Sequence, residues 1–181
     1  MKKSEIRKKI IKKRRANYSN KFKIDLKFIL KILKKKKLQN KVVGGYYPYN
    51  FEVDDIEILK RLEKKNFEIC LPKIKKNYQM DFFKWSTKDP LIINRMGIPE
   101  PTSNNLKYPD ILLVPLVAFD KNLNRIGYGG GFYDRYIKRL KLIKDIITIG
   151  IAFSFQKINK IYVDRNDIKM DFIITEKNKF K

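Results

Sequence analysis

An unbroken apolar run followed by a glycine-rich loop is the feature that most restricts how this chain folds. Every residue from Ile111 to Phe119 is apolar, and after a polar loop and Arg125 the segment 127–131 contains four glycines in five positions. The next residues have helical spacing, with Tyr133 and Ile137 on one face. Strand, glycine loop and helix in this order form a phosphate cradle. Glycine lets backbone N–H groups approach an anion, and the helix N-terminus adds partial positive charge.

The glycine loop matches neither of two common nucleotide-binding signatures. No Gly-Lys-Ser/Thr follows it, which excludes a Walker loop, and the third glycine of a dinucleotide fingerprint is missing at the required spacing. Glycine clusters also form plain turns. Asp134, just after the loop, is either a metal ligand beside a bound phosphate or a helix-start residue that complements the helix dipole. The residues alone therefore predict an anion site and leave its ligand open.

The loop and its surroundings resemble the signature of the 5-formyltetrahydrofolate cyclo-ligase family, also called 5,10-methenyltetrahydrofolate synthetases. The core of the resemblance is the segment 125–136, Arg-Ile-Gly-Tyr-Gly-Gly-Gly-Phe-Tyr-Asp-Arg-Tyr. Weaker matches follow in family order along essentially the whole chain: Lys3-Ser-Glu-Ile-Arg7, Tyr47-Pro48, Glu52 and Asp54, Leu71-Pro72, Met80-Asp-Phe82, Gly97-Ile-Pro-Glu-Pro101, Gln156 and Asp171-Phe-Ile-Ile-Thr-Glu176. As a set, these motifs are highly specific.

The resemblance implies an ATP-driven ring closure. It would convert 5-formyltetrahydrofolate, with or without a polyglutamate tail, to 5,10-methenyltetrahydrofolate and release ADP and phosphate. The implied cofactors are ATP and Mg²⁺. Such a reaction needs in-line positioning and neutralisation of charge on the phosphoryl oxygens more than it needs acid–base residues. A chain without histidine can meet that requirement.

The resemblance also implies roles for individual residues. ATP is expected to contact Lys3, Arg7, Arg125, Gly127, Tyr128, Gly129, Gly130, Gly131, Phe132 and Tyr133. The folate is expected to contact Glu52, Met80, Phe82, Glu100 and Tyr133. The expected Mg²⁺ ligands are Asp134 and Asp167. Some family members have a basic residue where this loop has Tyr128 and Gly130, so Arg135 or Arg139 is expected to supply that phosphate contact.

Without the resemblance, several of these residues have simpler interpretations. Lys3 and Arg7, four positions apart, would suit an ordinary solvated helix face. Glu52 would be a surface charge before a helix. Met80 and the aromatic residues would be core. These alternatives stay open at the level of the sequence.

The pattern of the whole chain predicts a single α/β domain over residues 1–181, with a mostly parallel sheet flanked by helices on both faces. Ser4 is the expected cap of the first helix, and Pro115 is expected at a bulge. The stretch 74–108 is expected to be mostly loop with one or two short strands. The other expected elements are helices at about 4–16, 24–36, 54–65 and 132–144, and strands at 42–47, 67–71, 111–118, 146–153 and 171–175.

The net charge of +24 raises two alternative functions. A basic nucleic-acid-binding protein would suit this charge and the lysine run 34–37. However, the cations spread over the whole chain. The accompanying Ile and Asn indicate A/T-rich codons, so no specific nucleic-acid partner is expected. A sugar-phosphate enzyme on a similar sheet is the second alternative, and it leaves Lys3, Arg7 and Glu52 unexplained.

Composition also limits the cellular compartment and the kinds of catalysis that are expected. The one cysteine, Cys70, lies in an apolar stretch and is expected to be a buried structural thiol. The absence of histidine excludes Ser-His and Cys-His catalysis and histidine-ligated zinc. No apolar run approaches the roughly 18 residues of a membrane span, and no signal-peptide pattern is present. A cytoplasmic protein without a membrane partner is expected, with a monomer as the working expectation.

Overall fold

The computed structural model describes residues 2–18, 24–36, 38 and 41–181. Its helices are α1 (Lys3–Asn17), α2 (Leu26–Lys35), α3 (Ile56–Glu63) and α4 (Phe132–Leu140). Its strands are β1 (Val42–Gly44), β2 (Glu68–Ile74), β3 (Met80–Lys84), β4 (Leu91–Ile93), β5 (Pro99–Pro101), β6 (Leu106–Lys107), β7 (Ile111–Pro115), β8 (Ala118–Phe119), β9 (Arg125–Ile126), β10 (Ile147–Ile151), β11 (Phe172–Ile174) and β12 (Lys179–Phe180).

In the described part of the chain, eight strands form one mixed sheet in the order β12-β11-β10-β7-β1-β2-β3-β6. The central pairs β11–β10, β10–β7, β7–β1 and β1–β2 are parallel, and antiparallel pairs extend the sheet at both edges. The central strands are apolar on both faces because helices cover both faces. The prediction of an α/β fold with a mostly parallel sheet is confirmed.

Alternate residues of the central strands point into two separate cores. On one face, Leu113 and Ile149 pack with apolar residues of α2 and α3. On the other, Leu112 and Ile173 pack with Tyr136 and other apolar residues of α4. Each helix is therefore held by an apolar stripe. The predicted burial of Cys70 is also confirmed, since it lies fully buried in the second core.

Helix α1 packs outside the main sheet, against the small antiparallel pair β8–β9. Ile6 and Ile10 contact an apolar cluster that includes Val117 and Ile126. The prediction that Ser4 caps this helix is wrong, because the helix already begins at Lys3 and the N-cap is Lys2. This packing brings one face of the cationic helix to the segment that follows β9.

The stretch 74–108 is mostly loop, as predicted, but it contains four short strands, so the prediction of one or two strands is wrong. β2 continues to Ile74 and pairs with β3, while β4 and β5 form a separate hairpin. The bulge expected at Pro115 is also absent. β7 ends there instead, since proline has no N–H to continue a ladder.

The order of the strands defines one crevice. From β1 the chain crosses by way of α3 to β2 on one side, and from β7 it passes through α4 to β10 on the other side. Ligands of open parallel sheets bind where the connections diverge in this way, beyond the carboxyl ends of the strands. Within the described ranges, no helix is long and apolar enough to cross a membrane.

Candidate active site

A cleft of ≈ 1190 Å³ lies at the carboxyl ends of β1, β2 and β7. Its wall is formed by α1, the segment after β1, the end of β2, the β4–β5 hairpin and the glycine loop. The predicted ligand contacts that line it are Lys3, Arg7, Glu52, Met80, Arg125, Gly127, Tyr128, Gly129, Gly130, Gly131, Phe132, Tyr133, Asp134 and Asp167. The fold therefore gathers distant segments of the chain around one space.

The glycine loop adopts turns that other residues rarely accept. Gly129 has a φ of +105° and Gly131, the N-cap of α4, has a φ of +66°. The guanidinium of Arg7 lies over the loop: a Cβ on Gly129 would be 3.4 Å from its Cζ, and its Nε donates a 2.7 Å hydrogen bond to the Gly127 carbonyl. The loop is thus an open turn of backbone beside a cation.

Lys3 joins α1 to the segment that carries Asp167. Its Nζ lies 2.5 Å from carboxylate oxygens of both Asp164 and Asp167. Burial alone would lower the pKa of Lys3, but the hydrogen bonds to the two carboxylates outweigh it and raise the pKa. Lys3 is therefore cationic across the physiological range.

Arg125 and Asp134 form a second ion pair under the glycine loop. Arg125 Nη2 lies 2.8 Å from Asp134 Oδ1, and the same oxygen accepts the backbone N–H of Ile168 at 3.1 Å. Burial lowers the pKa of Arg125, while the neighbouring Asp134 and Asp167 partly offset that effect. Both predicted metal ligands therefore lie close to Arg125, and each is paired with a cation.

Glu52 is a nearly buried carboxylate at the cleft wall, only 5% exposed. Its Oε2 accepts the backbone N–H of Tyr49 at 2.8 Å. Burial raises the pKa of Glu52 to about 7, while the Tyr49 N–H, the charge of Arg14 and the Tyr128 hydroxyl oppose the rise. Glu52 can therefore change its charge near neutral pH.

Three of the five predicted folate contacts line the cleft, and two do not. Glu52, Met80 and Tyr133 are the three that line it. Phe82 instead lies fully buried in the core, where its ring centroid is 4.8 Å from that of Tyr136. Glu100 lies outside the cleft wall, on β5, and accepts a hydrogen bond from Asn94 Nδ2. Phe82 does not reach the cleft because it is an apolar side chain on the core side of its strand. Glu100 does not reach it because its carboxylate is hydrogen-bonded within the hairpin.

The two arginines offered as extra phosphate contacts also differ. Arg135 lines the cleft and donates to the carbonyls of Tyr78 and Gly130. Arg139, one turn later on α4, lies outside the cleft wall and pairs with Asp81. Arg135 therefore has the better position.

The sequence interpretation missed several residues of the site. The most important is Arg14, which is fully buried 4.0 Å from Glu52 Oε1. Its spacing from Ile6 and Ile10, at intervals of four, places it on the apolar face of α1 and is the signal that could have identified it. Other residues that line the cleft without having been predicted are Tyr46, Tyr49, Lys75, Arg95, Lys138 and Asp164.

Fold and cleft together define the class of protein: an α/β protein with an open glycine loop and a group of cations that line the cleft at the carboxyl ends of parallel strands. These cations include Lys3, Arg7, Arg125 and Arg135. Such an arrangement suits a polyanionic ligand such as a nucleoside triphosphate.

The chain belongs to the 5-formyltetrahydrofolate cyclo-ligase family, whose model matches residues 1–176. It is 32% identical over 140 residues to the 5-formyltetrahydrofolate cyclo-ligase of Haemophilus influenzae, covering 73% of this chain and 74% of that protein. The corresponding Escherichia coli K12 protein is 29% identical over 140 residues, covering 74% of this chain and 76% of that protein. The predicted family and the prediction of an enzyme are confirmed.

Solved structures agree. The fold is similar to that of Aquifex aeolicus 5,10-methenyltetrahydrofolate synthetase, with a TM-score of 0.80, 32% identity and coverage of 100% of this chain and 93% of that chain. A 5,10-methenyltetrahydrofolate synthetase from Mycoplasma pneumoniae gives a TM-score of 0.73 at 27% identity, covering 97% of this chain and 99% of that chain. The similarity therefore extends over nearly the whole fold.

Proposed function

We propose that this chain converts 5-formyltetrahydrofolate to 5,10-methenyltetrahydrofolate in a reaction that needs ATP and Mg²⁺ and releases ADP and phosphate. The observation that carries the proposal is the convergence of Lys3, Arg7 and Arg125 around the glycine loop, in the same cleft as the buried carboxylate of Glu52. Membership of the cyclo-ligase family supports the choice of reaction.

The nucleotide is assigned to the end of the cleft that contains the glycine loop. Among the described residues, Arg7 donates a hydrogen bond only from Nε, so its two Nη groups remain for phosphate oxygens. A planar guanidinium suits bidentate contact with phosphate. The backbone turn at Gly129 and Gly131 lets N–H groups approach the same anion. This part of the cleft would supply positive charge to the phosphates of the nucleotide and hold them in place.

The residues present fit a magnesium ion. Mg²⁺ is commonly held by one or two carboxylates together with phosphate oxygens and water, and Asp134 and Asp167 would supply those carboxylates. Both carboxylates now pair with cations that can turn to phosphate instead, Arg125 and Lys3. When bound, the ion would neutralise negative charge on the transferring phosphoryl group.

The folate is assigned to the part of the cleft walled by Glu52, Met80 and Tyr133. In the proposed reaction the formyl oxygen attacks the γ-phosphorus of ATP and ADP leaves. The second folate nitrogen then attacks the iminium carbon, loses its proton, and phosphate departs with the formyl oxygen. The chain's task is to align the two substrates and to neutralise charge. Glu52 would accept hydrogen bonds from the pterin ring.

The proposal is tested by following the near-ultraviolet absorbance of the methenyl product. The purified protein is given 5-formyltetrahydrofolate with ATP and Mg²⁺, and each is then omitted in turn. We expect product only when both are present, with one ADP released per product. A folded protein that forms no product would overturn the proposed reaction, and product formation without added Mg²⁺ in the presence of a chelator would overturn the metal requirement.

A further inference from the structure

A buried arginine with no assigned role lies behind the cleft. Arg14 has an exposed fraction of 0% although it belongs to α1, whose neighbouring cations Lys13 and Arg15 are exposed. Burying a guanidinium is unfavourable unless hydrogen bonds and an opposite charge compensate it. Its surroundings therefore indicate what the burial achieves.

Arg14 connects three separate segments around the cleft. Its Nη2 donates to the Leu116 carbonyl at 3.0 Å, just beyond β7. Its Nη1 donates to the Tyr128 hydroxyl at 2.7 Å in the glycine loop and to the Asn50 carbonyl at 3.3 Å. One side chain thus links α1, the end of the central strand, the nucleotide loop and the segment before α3.

The segment contacted at Asn50 is the one that presents Glu52. Asn50 and Phe51 both have positive φ, 48° and 59°, a conformation that asparagine tolerates but that is unfavourable for Phe51 and persists there only when the surroundings impose it. Arg14 Nη1 also lies 4.0 Å from Glu52 Oε1, within the range of direct charge attraction. Arg14 therefore supports both the backbone and the charge of the glutamate.

We propose that Arg14 is a positioning residue that keeps Glu52 ionised and directed into the cleft. This inference rests on the folate-binding role proposed for Glu52. The distance of 4.0 Å matters, because a shorter bidentate pair would occupy the carboxylate oxygens that the substrate needs. Arg14 instead donates its hydrogen bonds to the carbonyls of Leu116 and Asn50 and to the hydroxyl of Tyr128.

The electrostatics of the pocket agree with this role. Burial raises the pKa of Glu52 to about 7, and Arg14 is one of the groups that oppose the rise. Removing the charge of Arg14 should therefore raise that pKa further and leave more of the carboxyl neutral at pH 7. The titratable or charged groups around Glu52 are Arg14, Tyr46, Asp55, Tyr128 and Tyr133.

The kinetic test compares Arg14→Met, Arg14→Lys and the matched control Arg15→Met, which removes the same charge from an exposed position of the same helix. For Arg14→Met we expect the KM for 5-formyltetrahydrofolate to rise about fivefold at pH 7 and to recover as the pH is raised, since a rise of about one unit from a pKa of about 7 lowers the ionised fraction of Glu52 at pH 7 from about one half to about one tenth. Arg14→Lys should have a smaller effect, and Arg15→Met should match the wild type. An increase in KM that is the same at every pH would overturn the proposal.

A second readout needs no turnover. Protein labelled with ¹³C at the glutamate carboxyl carbons allows the titration of Glu52 to be followed by NMR. The Glu52 signal is the one that is missing in Glu52→Gln, and Asp55 gives no signal because aspartate is not labelled. We expect the midpoint to be higher in Arg14→Met than in wild type. If Arg14→Met fails to fold, Arg14→Gln decides the matter: it removes the charge but keeps hydrogen-bond donors, so a wild-type midpoint together with a wild-type KM in that variant would overturn the proposal.

The two readouts separate this inference from the proposed function. A wild-type protein that forms no methenyl product would defeat the proposed reaction and, with it, the folate role on which the inference rests. An active wild type whose Glu52 midpoint does not move in folded Arg14→Met would defeat the inference alone.

Discussion

Two arginine–carboxylate pairs beside the cleft, each with a buried arginine, are built differently. Arg125 contacts Asp134 directly, with 2.8 Å between Nη2 and Oδ1. Arg14 stays 4.0 Å from Glu52 and directs its closer hydrogen bonds to two carbonyls and a hydroxyl. In the first pair the two opposite charges are in direct contact, whereas in the second Arg14 opposes the rise in the pKa of Glu52 without covering its carboxylate.

This difference suggests two uses of the same chemistry. A direct ion pair can separate when a phosphate binds the guanidinium and a metal ion binds the carboxylate. Each charged group then still has a partner of opposite charge. In the looser pair no contact has to break when a substrate binds, because the carboxylate remains available to a substrate that donates hydrogen bonds. We therefore expect changes at Arg125 to act on the nucleotide and changes at Arg14 or Glu52 to act on the folate.

The largest effect is expected from Arg125→Met. Removing this guanidinium leaves Asp134 unpaired under the glycine loop and removes a phosphate contact, so kcat/KM for ATP should fall about 10³-fold. Arg125→Lys should recover part of that loss. The control is Arg61→Met, which breaks an exposed pair with Glu57 on α3 and should leave kinetics unchanged. Equal losses in both variants would contradict the assignment.

The second prediction concerns the pH dependence of stability at the looser pair. The pKa of Glu52 rises from 4.5 to about 7 on folding, so the folded state binds the proton more tightly. Its contribution to stability is therefore full below pH 4.5 and is lost as the pH rises through about 7, by about 3 kcal/mol. Urea unfolding at pH 5 and pH 8 should show a smaller difference for Glu52→Gln than for wild type.

The matched control for that measurement is Glu57→Gln, which alters an exposed glutamate on α3. Its free energy of unfolding should follow the wild-type pH dependence. If Glu57→Gln and Glu52→Gln gave the same pH dependence, burial of Glu52 would not be the cause.

Asp134→Asn tests the exchange at the direct pair. Asparagine keeps the shape of the side chain but loses the charge that Mg²⁺ needs, so turnover at limiting Mg²⁺ should fall roughly 10²-fold and recover partly at high Mg²⁺. Turnover measured across a series of Mg²⁺ concentrations checks this prediction. Wild-type turnover at limiting Mg²⁺ would exclude Asp134 as a ligand.

A smaller effect is expected from Gly129→Ala. A Cβ at a φ of +105° is strained and would lie 3.4 Å from Arg7 Cζ, so we expect a cost of about 1–3 kcal/mol and a higher KM for ATP. Gly97→Ala is the comparison, because its φ of +75° is also positive but nothing lies within 4 Å of a Cβ there. Gly97→Ala should lose stability without a change in the KM for ATP.

The sequence predicted the glycine-loop end of the cleft better than the end walled by Glu52 and Met80. The glycine loop between an apolar strand and an amphipathic helix is local, so its chemistry can be seen within about twenty-five residues. Arg14 is different. Its spacing from Ile6 and Ile10 is a weak signal in a helix crowded with lysine and arginine, and its burial depends on how that helix packs against β8–β9.

The number of strands in the segment 74–108 was underestimated for a different reason. β4 exposes Ile92 and Ile93, and β5 is Pro-Glu-Pro, so neither shows the alternation of a half-buried strand. The two strands pair with each other in a hairpin outside the main sheet, so neither needs the apolar face by which a strand is recognised in a sequence. The apolar pattern likewise could not separate Met80, which lines the cleft, from Phe82, which does not.

The most direct test of the account measures the binding of each substrate separately by calorimetry, for wild type, Arg125→Lys and Glu52→Gln. ATP with Mg²⁺ and 5-formyltetrahydrofolate are titrated in independent experiments. We predict that Arg125→Lys weakens ATP binding and leaves folate binding unchanged, and that Glu52→Gln does the reverse. Variants that each weaken both ligands equally, or weaken the opposite one, would contradict the assignment of the two pairs to two substrates.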